Sequence, residues 1–182
     1  MPKTRNPSVC DLNEHYAPLL RLWILQLMVK CNGSDSFLRD TRFSEASVAK
    51  FLGFQTSDLE DYSSAWALRA LTEKLEAIEA EAPKLPESPV LARNLSRLAE
   101  RIRLSQVEVD ILHFAVLQRV HPVFDAALEL VGDLVRASLV RLLSICLGHP
   151  EPTVQDALRD NGRLSRSAIL SVDERNRYAF GS

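Results

Sequence analysis

Two leucine seams separated by prolines constrain this chain more than any other feature. Leu68, Leu71, Leu75 and Ile78 repeat at 3-4-3 spacing, and Leu91, Leu95, Leu98 and Ile102 repeat at 4-3-4. Side chains three and four apart share one face of an α-helix. Each run therefore predicts a helix packed along its length against another. The first helix is expected over about Tyr62 to Ala82, with Glu73, Glu76, Glu79 and Glu81 on its solvated face. Pro83, Pro86 and Pro89 then break it, because proline lacks the amide hydrogen and clashes with the preceding turn. Residues 83–89 are thus expected to be a stiff linker between domains 1–82 and 90–182. The same prolines also allow the two seams to fold back on each other as a hairpin.

Composition agrees with helix. The chain has 182 residues, 46% of them hydrophobic, enough for one sizeable core or two small ones. It has only six glycines, and Leu, Ala and Arg, all good helix formers, are among its commonest residues. The apolar stretch Leu19 to Val29 belongs to a first helix from about Glu14 to Cys31, buried nearly all round and stopped at Asn32-Gly33. That stretch is about half the length of a membrane span and carries Arg21 and Gln26, so no membrane association is expected. The start, Met1 to Pro7, lacks a signal-peptide core. Cys10, Cys31 and Cys146 form no CxxC pair, which fits reduced thiols and a cytoplasmic location.

Further helices follow from local signals. Val48, Phe51 and Leu52 make a short stripe capped by Ser44 or Ser47 and ended by Gly53. Ser105-Gln106-Val107-Glu108 reads as a capping box ahead of a nearly all-apolar helix reaching Arg119. Pro122 suits the first turn of a helix through about Val131. Leu134 to Leu147 and Thr153 to Asp160 give two more helices, ended at Gly148 and at Asn161-Gly162. Ser167 to Val172 and Arg177 to Phe180 then read as strands around a turn at 173–176. The expected fold class is mainly α: a helical N-terminal half, and a winged-helix-like C-terminal half with a short C-terminal β-hairpin.

Motifs for chemistry are missing from the sequence. No glycine precedes a lysine, so no phosphate-cradling P-loop is present, nor is there a Gly-x-Gly-x-x-Gly. His15, His113, His121 and His149 have no histidine or cysteine four residues away, so no helical metal pair is expected. His113 reads as a core or boundary histidine and His149 as part of a helix-ending loop. No catalytic residue, cofactor or metal is expected in this chain.

Arginine is the remaining signal. The formal charge is −2, which argues against a globally basic nucleic-acid binder, yet all 12 cations of residues 90–182 are arginines. Arg93, Arg97 and Arg101 form an i, i+4, i+8 stripe beside Arg103, and Arg163, Arg166, Arg175 and Arg177 surround the expected hairpin. Guanidinium forks bind carboxylate or phosphate bidentately, so these groups are candidate partner-binding residues. The plainer alternative is a solvated face ion-paired to Glu100, Asp173 and Glu174. The helix 153–160 carries two acids and one arginine, a poor face toward polyanionic DNA, so a protein partner is favoured over nucleic acid.

The stretch Leu91 to Val172 resembles the accessory region ahead of the ATPase core in a group of large bacterial AAA-family ATPases. The matching residues are Leu104-Ser105-x-x-Glu108-x-Asp110-Ile111-Leu112, then Leu142-Leu143-x-x-x-Leu147-Gly148, and Leu164-x-Arg166-Ser167-x-Ile169-Leu170. They cover under half of the chain and are mainly capping and core positions. The resemblance implies a variant winged-helix domain that recruits a substrate or partner, with the ATP-binding module outside this chain. The close of the sequence at Phe180-Gly-Ser, soon after a strand, fits a fragment of such a protein. The Walker motifs that define the family are absent from these residues, so no catalytic residue carries over. A DNA-binding winged-helix regulator and a self-associating helical scaffold are the alternative expectations.

Overall fold

The computed structural model describes residues 9–39, 42–55, 63–81, 91–132, 135–167, 170–172 and 178–180. Helix α1 (Val9–Lys30) runs at the centre. From Tyr16 to Met28 it is buried on nearly every side, as its all-round apolar sequence requires. Asn32 takes the left-handed conformation (φ 61°) that ends the helix, so the stop falls one residue before the glycine. Gly33 instead opens α2 (Gly33–Phe37), where a Cβ would stand 2.9 Å from the Leu27 carbonyl oxygen.

A two-residue pairing of β1 (Leu38–Arg39) with β2 (Arg42–Phe43) leads into α3 (Ala46–Phe51). The cap of α3 is Glu45, whose carboxylate accepts from the Ser47 amide, and not either serine. Ser44 is occupied elsewhere, donating to the Ser36 carbonyl at 2.7 Å. Helix α4 (Ser64–Glu81) lies along α1. Its buried line is Ala67, Leu71 and Leu75, whereas Leu68 is 44% exposed. The expected seam is therefore rotated by one position at its start, because alanine lets α4 lie close to α1.

Helix α5 (Leu91–Ile102) packs on α6 (Gln106–Val120). The two seams thus find different partners, α1 for the first and α6 for the second. The capping box is present: Ser105 Oγ accepts from the Glu108 amide, and the Glu108 carboxylate accepts from the Ser105 amide at 2.7 Å. Helix α7 (Pro122–Glu129) has proline in its first turn and is capped by the His121 ring, which accepts from the Phe124 amide. Helices α8 (Arg136–Leu147), α9 (Glu151–Ala157) and α10 (Arg163–Arg166) complete the helical part. Helix α9 starts two residues before Thr153, because Pro152 sits in its first turn, where a missing amide hydrogen costs nothing.

The expected β-hairpin and the winged-helix half built on it are not borne out; the fold is mainly α throughout. Ser167 was expected to open the first strand. It instead closes α10, its amide bonded to the Arg163 carbonyl and its hydroxyl to the Leu164 carbonyl. What is left is a three-residue pairing of Leu170–Val172 with Tyr178–Phe180. The expected turn at 173–176 lies outside the described residues, as does the proline segment 83–89.

One contiguous apolar cluster runs from Tyr16 to Leu164 in sequence and draws on both sides of that proline segment. Helix α1 touches α4 on one side of it and α7 and α8 on the other. Trp23 packs against Phe114 and Phe124, and its indole N–H donates to the Cys146 carbonyl at 2.8 Å. Among the described residues no helix is long and apolar enough to cross a membrane.

Long-range donors close several helix C-termini. The last four carbonyls of a helix lack intrahelical partners. Trp23 serves α8 in this way, and the Arg21 guanidinium bonds the carbonyl of Phe51, the last residue of α3. Arg136 bonds the Leu158 carbonyl at the end of α9 at 2.6 Å. Arg163 bonds the Arg103 carbonyl just past α5, also at 2.6 Å.

Candidate partner-binding face

The α5 sequence alternates leucine with arginine so that burial of Leu95 against α6 turns the arginines outward. Arg93, Arg97 and Arg101 are all exposed, and none forms an ion pair with any described residue. Glu100 likewise pairs with none of them, and Asp173 and Glu174 lie outside the described residues. With 1.5 Å rise per residue, the three guanidinium groups leave the helix along a stripe about 12 Å long. Arg103 continues the stripe past the end of α5, in a left-handed turn (φ 56°).

The second arginine group meets the first through Arg163. Its guanidinium bonds the Arg103 carbonyl and, at 3.3 Å, the Glu108 carboxylate, so α10 is joined to the turn between α5 and α6. Arg166 is exposed three residues further on. Arg175 and Arg177 lie outside the described residues. Five of the seven candidates are thus placed, and sequence positions 60 apart come together at Arg103 and Arg163.

Arg163 differs from the others in chemical role. Glu108 is buried, with its side chain 8% exposed, and its carboxylate already serves the capping box. The Arg163 charge offsets that buried negative charge, so Arg163 is a positioning residue for the face. Arg163→Ala should lower stability by about 1–2 kcal/mol, the range for one charge-assisted hydrogen bond reduced for the exposed guanidinium. A urea-melt midpoint equal to wild type would overturn this.

Sequence reading missed a second polar junction. His149 Nε2 and Asp110 Oδ2 stand 2.7 Å apart and are mostly buried, although 39 residues separate them. Gln106 Nε2 donates to the other Asp110 oxygen at 2.8 Å, and Ser144 Oγ donates to the His149 carbonyl at 2.6 Å. This set ties the loop after α8 to the first turns of α6. The Asp110 and His149 positions carried no local pairing signal, because the contact depends on how α6 and α8 cross.

His113 is buried at 6% exposure, edge-on to the Tyr16 ring at 5.3 Å. Its Nε2 has no hydrogen-bond partner among the described residues, and burial holds its pKa down at about 4 against an opposing pull from Asp110. Burial also raises the Cys31 and Cys146 thiols above the usual range, which keeps them protonated. Among the described residues no group of three His, Cys, Asp or Glu side chains could share a metal ion.

No protein-family model, curated protein or solved structure matches the chain.

Proposed function

We propose that this chain is a recruitment module that holds an acidic protein segment on the α5 arginines and Arg166, for delivery to an AAA-family ATPase. The observation that carries the docking reading is the exposed stripe Arg93, Arg97, Arg101, which meets no carboxylate among the described residues and runs on toward Arg103 and Arg166. Guanidinium groups left without internal partners are available to carboxylates from outside, and their fixed forks favour paired oxygens. The link to an ATPase rests on the resemblance of residues 91–172.

Nucleic acid fits this face less well. The exposed acids Glu151, Asp156 and Asp160 stand on or next to α9, and Asp156 and Asp160 already hold Arg159 and Arg136. That leaves a mixed-charge neighbourhood where a duplex binder needs a basic one.

Fluorescence anisotropy with an Asp/Glu-rich peptide tests the docking reading. The full chain should bind the peptide at low salt and release it as salt rises, since exposed charges are screened. Reversing three arginines together, R93E/R97E/R101E, should weaken binding about 30-fold. Each exposed pair contributes roughly 0.7 kcal/mol, and 1.4 kcal/mol is a factor of ten. Equal affinity of the variant and wild type would overturn the reading, as would tighter binding to duplex DNA than to the peptide. The ATPase link is tested by immobilising the full chain and identifying retained proteins. Retention of a Walker-motif ATPase supports it, and retention of none overturns it.

A further inference from the structure

The outward face of α4 is the complement of the outward face of α5. Glu73, Glu76 and Glu81 are exposed on α4, alongside the small residues Ala77 and Ala80. Glu73 is engaged only by Arg69 on its own helix, in a pair exposed to solvent on both sides, and Glu76 and Glu81 pair with no described residue. Trp66, 40% exposed, stands at the other end of the same face, two turns before Glu73. From Glu73 to Glu81 the rise is about 12 Å, the same as from Arg93 to Arg101. The two faces belong to helices with different supports, α4 on α1 and α5 on α6, so each is turned to solvent by its own packing.

We infer that the occupant of the arginine face is a second copy of this chain, whose α4 lies antiparallel along α5. This inference rests on the reading of α5 as a docking face for acidic protein. In that arrangement Glu81 meets the Arg93 end, Glu76 lies near Arg97 and Glu73 near Arg101. Because the two faces differ, each copy both gives and receives, so the contact is head-to-tail or doubled across a two-fold axis. Exposed ion pairs are individually weak, so the association is salt-sensitive and concentration-dependent.

Sedimentation velocity on the full chain tests it with two charge-reversed variants. Variant E73R/E76R has both faces basic, and variant R93E/R97E has both faces acidic. Wild type should show a sedimentation coefficient that rises with concentration at low salt and less so at high salt. Each variant alone should remain monomeric at the concentrations where wild type associates. Mixing the two variants should restore association, because each basic face then meets an acidic one. Far-UV circular dichroism of each variant should equal wild type, since all four positions are exposed. If either is unfolded, the milder pair E76K with R97E replaces them in the same mixing experiment.

A wild type that stays monomeric at every concentration in low salt overturns the inference. So does self-association that neither variant abolishes. Wild type that stays monomeric yet binds the acidic peptide through its α5 arginines defeats only the second-copy occupant. Loss of both activities defeats the docking reading as well.

Discussion

Trp23→Ala should lower the unfolding free energy by about 3–5 kcal/mol, the usual range for removing a large aromatic from a packed core. A domain is generally stable by only about 5–15 kcal/mol, so most of the stability is at stake. Trp23 is 2% exposed on the central helix and packs on Phe114 at 5.1 Å and on Phe124 at 5.6 Å between ring centroids. Its indole also closes the end of α8 through the Cys146 carbonyl. Trp23→Phe separates the two contributions: it keeps most of the packing and leaves that buried carbonyl without its donor, at a cost of about 1–3 kcal/mol. Urea unfolding followed by circular dichroism measures both. A Trp23→Ala midpoint close to wild type would mean that α1 is not the shared core element.

Acid should destabilise the fold well before general acid denaturation. His113 has its folded pKa held at about 4 by burial, against 6.5 when exposed, and burial lowers His121 as well. Below pH 6.5 the unfolded chain takes up a proton that folded His113 refuses, so stability is full above 6.5 and falls as pH drops toward 4. At 1.36 kcal/mol per pKa unit, His113 alone accounts for a loss of roughly 3 kcal/mol across that window. Lowered His121 adds a loss of the same sign. The check is the unfolding free energy at pH 7 and at pH 4.5 for wild type and His113→Phe. The variant should lose less stability between the two than wild type. An identical loss would show that His113 is protonated inside the fold.

Local chemistry was legible in the sequence where the signal and its effect lie within one helical turn. The Ser105–Glu108 capping box, proline at the start of α7 and the left-handed Gly148 after α8 are of this kind. The all-round burial of α1 could be read as well, because a helix apolar on every side has nowhere to go except a core. At α3 two caps competed within three residues, and a hydroxyl bond to Ser36 decided the matter. Helix α10 was not legible in the sequence, because Leu164, whose burial secures it, can be judged only from what packs over it. Of the arginines, the α5 stripe was legible as exposed, since its leucines set the phase of the helix. The distinction between docking Arg97 and structural Arg163 was not, because it depends on buried Glu108, 55 residues away.

The sequence by itself determined a mainly α chain, the positions of most helix ends and the outward phase of the arginines. Each of these follows from steric and hydrogen-bonding rules acting over three or four residues. Tertiary structure alone decided which helix each seam covers, that α1 joins residues on both sides of the prolines, and that residues 163–166 form α10. It also chose the bonds Arg21 to Phe51, Asp110 to His149, Arg163 to Arg103 and Trp23 to Cys146, across 30, 39, 60 and 123 residues. A donor finds a distant carbonyl only after apolar burial has fixed the crossing of two helices, and no local pattern encodes that crossing.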